Sequence, residues 1–450
     1  QQVHAEIQVT REWDFLTVDT PNLDHATQER LIDALQCVSG VCFFLAVEGY
    51  EFDTFDDILD KALALFSERL IGKTFVVRCK RSGKHEFTSH QVEQYIGGGL
   101  LQKSDASGVR MKGADVTIKL EIKDNVAYLV RERFDGIGGY PMGSIGSVLS
   151  LISGGYDSPV ASYLTMRRGL TTHFCFFNLG GRAHEVGVKE VAYHLWSRYG
   201  ANHRVSFYTV PFEGVIAELM RSVDNSHMGV VLKRMMVRAA EHIAQEYSLK
   251  ALVTGEAIAQ VSSQTLVNLS VIDHVSDCLI MRPVVTMDKG EIIEIAKQIG
   301  TAIFAEHMPE YCGVISVKPK TRVQRERVEH EEARFDFSVL DDALDNLKVE
   351  RIDNMSFEAA VEVEEFEFPV GESIIIDIRH PTDCERNPLK LDQKNKVIMI
   401  PFYKLSEEIS QLSESEVYSL YCDKGVMSRL HASFLCEQGV TNVSVFRPNA

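Results

Sequence analysis

The sequence predicts an α/β protein of several domains, and three observations support this fold class. The chain of 450 residues is too long for one ordinary core, so about three domains are expected. Residues 147–305 alternate apolar strand segments with helical segments, which is the βαβ pattern of a doubly wound parallel sheet. Residues 1–135 and 371–450 carry strand and helix patterns of their own, which predict an α+β module and a C-terminal α/β domain.

Composition narrows the class of protein. Hydrophobic residues make up 45% and charged residues 25% of the chain, and no apolar run approaches the roughly 18 residues that a membrane span requires. The nine cysteines are scattered without a CxxC pair, which argues against a disulfide framework and against a four-cysteine metal site. We therefore expect a protein of the reducing cytoplasm with no membrane partner.

The amino-terminal part predicts a sheet covered by helices. Its strand segments and helix-period segments alternate, the strands at 15–20, 42–50, 74–81, 115–123 and 127–134 and the helices at 26–39, 55–70 and 90–101. The glycine-rich segment 134–146 is expected to be a loop or linker.

A basic cluster in this part is a candidate for binding nucleic acid, although the net charge of the chain is −17. A globally acidic protein can still present a local basic face to phosphate. On charge alone, a solvated face is an equally good interpretation. The candidate phosphate contacts are Arg78, Lys80, Arg81 and Lys84, and a second cluster occupies 318–327.

The first strand of the middle part ends in Ser153-Gly154-Gly155-Tyr156-Asp157-Ser158 and is followed by a helix. Glycines allow an anion to approach the backbone, and the amides at a helix N-terminus favour negative charge. The segment therefore predicts a phosphate-binding loop, although no Gly-Lys-Ser/Thr of the Walker type follows. A glycine-containing turn after a core strand is the alternative interpretation.

Further residues of the middle part fit the same site. Lys233 lies in a mostly apolar helix, where a buried cation requires an anion, although a lysine that reaches solvent is an alternative. A second strand runs into Gly255 and the polar segment that ends near Gln264. Lys289 stands at the start of another helix. Strand ends of an open parallel sheet meet at one edge, where ligands bind.

The last part places Cys422 between a strand and an amphipathic helix. A thiol at a helix N-terminus is stabilised as the thiolate when it lies in a short loop whose backbone amides point toward it. A buried structural cysteine is the alternative interpretation. The acidic segment 329–370 that precedes this part is helical at first and then predicts a linker.

Three resemblances to known families follow from these residues. Residues 153–158 resemble the SGGxDS loop of PP-loop ATP pyrophosphatases, and the Cys422 loop, with Asp377 and Arg379, resembles a rhodanese domain. Together with 83–100, 175–181 and 308–316, they make the whole chain similar to the tRNA 4-thiouridine synthetase family. The resemblance implies the following domains: a partial ferredoxin-like region at 1–29, a THUMP RNA-binding domain at 30–133, a PP-loop domain at 140–330, an acidic helical linker at 331–370 and a rhodanese-like domain at 371–450.

The resemblance also implies an activity, which is ATP- and Mg²⁺-dependent sulfur transfer to uridine-8 of tRNA. It assigns catalytic roles to Cys422, Cys312, Asp157 and Lys289, with a Cys312–Cys422 disulfide formed during turnover, and assigns no residue as a metal ligand. The residues that it places around the nucleotide are Leu151, Ile152, Ser153, Gly154, Gly155, Ser158, Lys233, Gly255 and Gln264.

The implied partners are tRNA, a cysteine desulfurase as sulfur donor and the sulfur-carrier protein of thiamine thiazole synthesis. Two alternatives remain. One is an RNA-binding sulfur-carrier adaptor with a vestigial ATP site. The other is a PP-loop ligase that forms amide or other nitrogen bonds, but no segment resembles a glutaminase and the Cys422 loop would have no use in it.

Overall fold

The computed structural model describes most of the chain. The described residues are 3, 6–11, 15–20, 23–178, 181–307, 319–355, 363–369, 371, 373–379, 384–385, 387–389, 391, 395–401, 405–408, 413, 416–422, 426–437 and 439–448. They form two compact units, one of residues 1–40 with 139–450 and the other of residues 41–138.

The first 40 residues contribute a hairpin and a helix to the first unit. The hairpin consists of β1 (Gln8–Arg11) and antiparallel β2 (Leu16–Asp19), and the helix is α1 (His25–Gln36). Asp24 caps α1, because its side chain accepts a hydrogen bond from the Thr27 amide at 2.7 Å. Burial raises the pKa of Cys37, which ends α1 and receives a hydrogen bond from Arg198. Residues 30–40 thus belong with the first unit, which differs from the predicted RNA-binding domain of 30–133.

The unit of residues 41–138 is one sheet with helices on one face. Its strand order is β3-β7-β6-β4-β5. The elements are β3 (Phe43–Glu51), α2 (Phe55–Leu70), β4 (Thr74–Ser82), α3 (Ser89–Lys103), β5 (Gly108–Val109), β6 (Val116–Lys123) and β7 (Val126–Asp135). Capping boxes begin both helices, with Thr54 and Asp57 at α2 and Thr88 and Gln91 at α3. The bounds of α2 agree with the predicted helix at 55–70.

The middle domain, residues 139–355, is built on a six-stranded sheet with the order β12-β11-β8-β9-β10-β13. Its strands are β8 (Ser147–Leu151), β9 (Thr171–Asn178), β10 (Ser206–Pro211), β11 (Ala251–Val253), β12 (Leu279–Met281) and β13 (Lys348–Arg351). The first five are parallel, as predicted, and β13 pairs antiparallel with β10. Strand β8 lies centrally, so the loop after it opens at the carboxyl edge of the sheet.

The helices of the middle domain cover both faces of this sheet. They are α4 (Asp157–Arg167), α5 (Gly181–Tyr199), α6 (Glu213–Ser222), α7 (Met228–Glu246), α8 (Leu266–Asp273), α9 (Lys289–Ile299), α10 (Ala302–His307), α11 (Arg325–Glu332) and α12 (Ser338–Asp345). Helix α7 is central to the core and is buried along most of its length, which explains its mostly apolar sequence.

Residues 331–355 do not form a free linker, contrary to the prediction for 331–370. They are partly helical as expected, but they pack into the core of the middle domain and end in β13. Two acidic side chains of this segment meet a cation: the buried Glu332 binds Arg234 at 2.5 Å, and the half-buried Glu350 binds Lys189 at 2.6 Å. Residues 356–362 lie outside the described residues.

The C-terminal domain, residues 363–448, has a parallel five-stranded sheet with the order β14-β18-β17-β15-β16. Its elements are β14 (Glu365–Phe366), β15 (Ile374–Asp377), β16 (Val397–Met399), α13 (Leu405–Glu408), β17 (Tyr418–Tyr421), α14 (Val426–Glu437) and β18 (Val443–Phe446). Within the described part of the chain, no helix is long and apolar enough to span a membrane.

Candidate active site

The loop after β8 lies at the N-terminus of α4. Ile152 is buried, and its amide donates a hydrogen bond to the Cys175 carbonyl at 2.9 Å. This bond holds the end of β8, which is Leu151, against β9. Tyr156 precedes the helix and makes no side-chain cap. The first amides of α4 therefore have no capping side chain, which is the arrangement that anion-binding helix N-termini share.

Ser158 holds this loop in shape. Its hydroxyl accepts a hydrogen bond from the Ser153 amide at 2.8 Å and lies 2.8 Å from the Ser153 hydroxyl. Ser158 is buried, whereas Ser153 is exposed. Of the two serines predicted to contact the nucleotide, Ser158 thus organises the loop from within, and Ser153 faces the open side.

The glycines of the site differ in their surroundings. A Cβ atom on Gly155 would have open space around it, whereas one on Gly255 would lie 2.5 Å from the Ser158 amide nitrogen. The end of β11 therefore packs directly against the start of α4, and only glycine permits this approach. Gly154 is buried in the loop.

Asp157 and Lys289 meet although they are distant in sequence. The Lys289 ammonium lies 2.8 Å and 3.0 Å from the two carboxylate oxygens of Asp157. Each residue begins a helix, Asp157 at α4 and Lys289 at α9, and Lys289 also lies 5.4 Å from the centre of the Tyr156 ring. The structure thus brings together two of the predicted catalytic residues at the mouth of the loop.

Lys233 belongs to an ionic network that the sequence analysis did not identify. Its ammonium lies 2.6 Å from Glu256, which also binds Arg282 at 2.8 Å, and Arg282 binds Asp273 at 2.9 Å. Burial tends to raise the pKa of Glu256, but Lys233 and Arg282 outweigh burial and hold it at about 2. The only sequence signals for this network were an acid directly after Gly255 and an arginine directly after β12.

Gln264 supplies a buried polar atom at the same edge of the sheet. Its side chain is 9% exposed, and among the described residues no hydrogen-bond donor reaches its Oε1 atom. The Nε2 atom of Gln260 is buried and, in the same described part, likewise without an acceptor. A buried amide group that lacks partners favours a ligand that supplies them. This observation fits a polar ring such as a nucleobase.

A groove of about 440 Å³ lies beside the ionic network. The groove is open. Its lining combines apolar side chains with Asp273 and Arg282 of the network, and the lining residues are Ile258, Leu266, Leu269, Ser270, Asp273, Arg282 and Val285. Arg282 connects the groove with Glu256 and therefore with Lys233.

The predicted RNA contacts on β4 do not share one face. Arg78 and Lys80 are exposed and alternate with the buried Val77 and the half-buried Cys79, so they lie on the open face of the sheet. Arg81 points to the other face, where it stacks 5.5 Å from the ring centre of Phe87. Lys84 is exposed in the turn that follows. The predicted cluster is thus divided between two faces and a turn.

Cys422 follows β17 and contacts the start of α14. Its Sγ atom accepts a hydrogen bond from the Ser428 amide at 3.3 Å and lies 3.5 Å from the Ser428 hydroxyl. This is the predicted arrangement of a thiol at a helix N-terminus. Asp377 and Arg379 form a buried ion pair, with the Arg379 Nε atom 2.9 Å from the carboxylate.

Cys312 lies outside the described residues, and so does its predicted disulfide with Cys422. Within the described ranges, no group of three or more histidine, cysteine, aspartate or glutamate side chains could hold a metal ion.

Comparison with known proteins decides the family. A family profile described as "Thiamine biosynthesis protein (ThiI)" matches residues 143–337, and a THUMP domain profile matches residues 52–131. A tRNA sulfurtransferase of Saccharophagus degradans is 50% identical over 451 residues, covering 100% of this chain and 93% of the relative. A tRNA sulfurtransferase of Pseudomonas aeruginosa is 51% identical over 450 residues with the same coverage. The chain belongs to the tRNA sulfurtransferase family.

A solved structure supports the same conclusion. A 4-thiouridine synthetase in complex with RNA and bound ATP is 26% identical, with a TM-score of 0.68, and covers 77% of this chain and 90% of that chain. The predicted family, the fold class and the enzyme class of a tRNA sulfurtransferase are thereby confirmed. Apart from the two differences at 30–40 and 331–355, the predicted domain bounds stay predictions, and so do the roles of the individual site residues.

Proposed function

We propose that this member of the tRNA sulfurtransferase family makes 4-thiouridine at uridine-8 of tRNA in two chemical steps. The observation that carries the proposal is the pairing of two sites in one chain: a phosphate-binding type of loop beside Asp157 and Lys289, and a thiol at the N-terminus of α14. The first site activates the oxygen of the base, and the second supplies sulfur. An activating site alone would not require the thiol, and a sulfur-carrying thiol alone would not require the phosphate-binding loop.

ATP is the proposed activating substrate. The α4 amides and the exposed Ser153 hydroxyl would hold its phosphates, and Gln264 would bind its base. The C4 oxygen of the uridine attacks the α-phosphorus, so that pyrophosphate leaves and the base is adenylated. Lys289 and Lys233 neutralise phosphate charge. Asp157 would hold Mg²⁺, which would offset the negative charge of the phosphates.

Sulfur transfer completes the proposed reaction. A cysteine desulfurase loads Cys422 as a persulfide, Cys422–S–SH. The Cys312 thiolate attacks the Cys422 Sγ atom, which releases hydrosulfide and leaves a Cys312–Cys422 disulfide. The hydrosulfide attacks C4 of the base, and AMP leaves with the original oxygen. A thiol reductant then supplies two electrons and restores both thiols.

The remaining proposals concern the cellular setting. In this scheme the substrate tRNA and the desulfurase are cytoplasmic, so we expect the enzyme in the cytoplasm as well. The match to a family of thiamine biosynthesis proteins supports a second acceptor, the sulfur-carrier protein of thiamine thiazole synthesis. The same Cys422 persulfide would serve both acceptors.

The decisive experiment is nucleoside mass spectrometry of unmodified tRNA incubated with this protein, Mg-ATP, cysteine and a desulfurase. We expect 4-thiouridine, and digestion with a guanosine-specific ribonuclease should locate it in the fragment that contains position 8. Reactions without ATP or without desulfurase are the controls. Sulfur on Cys422 without ATP-dependent pyrophosphate release would instead support the carrier adaptor. ATP-dependent nitrogen incorporation into a substrate would support a ligase.

A further inference from the structure

Two helices from different sheets meet beside Cys422. Helix α5 covers the sheet of the middle domain, and helix α14 covers the sheet of the C-terminal domain. Between them, the Nε2 atom of His431 lies 2.7 Å from the Oε1 atom of Glu190. The side chains of Glu190 and His431 are only 7% and 11% exposed.

A buried carboxylate is costly unless an opposite charge or a hydrogen-bond donor reaches it. The His431 imidazole approaches Glu190 from the other domain at ion-pair distance, although the two atoms are not in hydrogen-bond geometry. The attraction between carboxylate and protonated imidazole therefore exists only when α14 lies on α5. If the C-terminal domain moved away, both groups would return to water. The pair therefore favours one specific arrangement of the two domains over a merely tethered one.

The same two helix faces lie beside Cys422. Tyr193 lies three residues after Glu190 and thus on the same face of α5. Burial and the neighbouring Cys422 raise the pKa of Tyr193 to about 12. On α14, Ser428 lies three residues before His431, and its amide donates to Cys422. Cys422 itself is 7% exposed.

The segment of α5 that carries Tyr193 also contacts the helix that leads to Cys312. His194 lies 2.8 Å from the Ile299 carbonyl, and its ring centre is 5.5 Å from that of Phe304 in α10. Helix α10 ends at His307, five residues before Cys312 in the sequence. This part of α5 therefore connects the Cys422 surface with the start of the segment that contains Cys312.

We propose that α5 is the docking surface for the sulfur-carrying domain and that the Glu190–His431 pair specifies the docked arrangement. The inference rests on the proposed function in one respect, because it takes Cys422 as the sulfur carrier. In the docked arrangement a persulfide on Cys422 is shielded from external thiols. Loading by a separate desulfurase requires the domain to leave α5, since a buried sulfur cannot enter another active site.

Alkylation of the reduced protein by iodoacetamide tests the docking without tRNA, ATP or desulfurase. Peptide mass spectrometry gives the rate at each cysteine. We expect Cys422 to react slowly in the wild type and about tenfold faster or more in Glu190→Gln and in His431→Gln. The exchanged double variant Glu190→His with His431→Glu should restore slow alkylation, because it rebuilds the pair in reverse.

Internal controls separate undocking from unfolding. Cys175 is fully buried in the core of the middle domain and should stay unreactive in every variant, while the exposed Cys42 should keep its rate. Glu294→Gln, which removes an exposed ion pair with Lys297, should leave Cys422 slow. An unchanged Cys422 rate in both single variants, with Cys175 still protected, would overturn the proposal. If the wild type instead fails to make 4-thiouridine while the alkylation pattern holds, the docking stands and the proposed function falls.

Discussion

The Lys289 ammonium lies 2.8 Å and 3.0 Å from the two oxygens of the Asp157 carboxylate, which joins the first residues of α4 and α9. Both residues begin helices, so the pair lies where two sets of helix N-terminal amides converge. The lysine thus balances the Asp157 carboxylate at a site whose helix ends favour anions. Without it, the Asp157 carboxylate would repel the phosphates that the loop is suited to hold.

The Asp157–Lys289 pair should matter for catalysis and little for stability. The two side chains are 23% and 42% exposed, and exposed ion pairs contribute at most about 1 kcal/mol. We expect Asp157→Ala to abolish tRNA-dependent pyrophosphate release and to change the free energy of unfolding by less than about 1 kcal/mol. A coupled pyrophosphate assay and urea unfolding measure the two effects. Asp341→Ala, on the exposed side of α12, is the control. Unchanged pyrophosphate release would remove Asp157 from the mechanism.

Glu256 should make the stability of the protein sensitive to acid. Its pKa of about 2 in the folded protein lies below the ordinary 4.5, so the stabilisation is present above about pH 4.5 and is lost as the pH falls toward 2. This difference corresponds to an effect on the order of 3 kcal/mol. The stability gap between the wild type and Glu256→Gln, measured by urea unfolding, should therefore shrink from pH 7 to pH 3.5. The exposed Glu326→Gln is the control, and a gap independent of pH would contradict the prediction.

The contacts of the Glu256 network could not be predicted from the sequence. The loop at 153–158 could be predicted because its serines, glycines and helix start are consecutive. Glu256 meets Lys233 and Arg282 across 23 and 26 positions, and Arg234 meets Glu332 across 98. Such pairings depend on the tertiary fold and leave no local pattern. Strand β13 was missed for a similar reason, since its four residues are polar or half-exposed and only pairing with β10 makes them a strand.

Gly255 should be irreplaceable for a steric reason. A Cβ atom there would lie 2.5 Å and 2.6 Å from the amide nitrogen and Cα of Ser158, which are backbone atoms that cannot move aside alone. We expect Gly255→Ala to destabilise the protein by about 1–3 kcal/mol and to abolish pyrophosphate release. Gly214→Ala in α6, where no atom lies within 4 Å, should be neutral or stabilising. Equal thermal stabilities of the two variants would contradict the close packing of β11 against α4.

The open face of β4 should carry the salt-dependent part of tRNA binding. Arg78 and Lys80 share this face with Lys119, which lies opposite Arg78 on the neighbouring strand β6. Replacing Arg78 and Lys80 by alanine should weaken binding of all tRNAs and reduce the slope of log K against log salt by about 0.7–0.9 for each lost phosphate contact. Filter binding at several salt concentrations measures the slope.

Arg81 should behave differently, because it lies on the opposite face over Phe87. Arg81→Ala is expected to lower thermal stability and to leave the salt slope nearly unchanged. Lys250→Ala with Lys348→Ala removes two exposed lysines of the middle domain and serves as the control for net charge. If the Arg78 and Lys80 variant keeps both affinity and slope, the basic segment 318–327 becomes the better candidate.

The two predicted catalytic cysteines should fail at different steps of one turnover. Cys422 is held by the Ser428 amide at the start of α14 and is the proposed site of the persulfide. Cys422→Ala should accept no labelled sulfur in its C-terminal domain. Cys312→Ala should accept the label and then stop, because the thiol that releases the outer sulfur is missing. Cys436→Ala, on α14 but away from the loop, should transfer sulfur normally.

Single turnover without reductant gives the direct test of the two-cysteine mechanism. Residues 312 and 422 should be recovered as one linked peptide pair in a non-reduced digest, since a disulfide requires their Cα atoms to come within about 7 Å. Docking of α14 on α5 favours this encounter, because α5 also contacts the helix that precedes Cys312. The Glu190→Gln variant should therefore form the linkage more slowly than the wild type while releasing pyrophosphate at the same rate. Full activity of Cys312→Ala without any such linkage would mean that the persulfide attacks the adenylated base directly, so that Cys422 alone carries the sulfur chemistry.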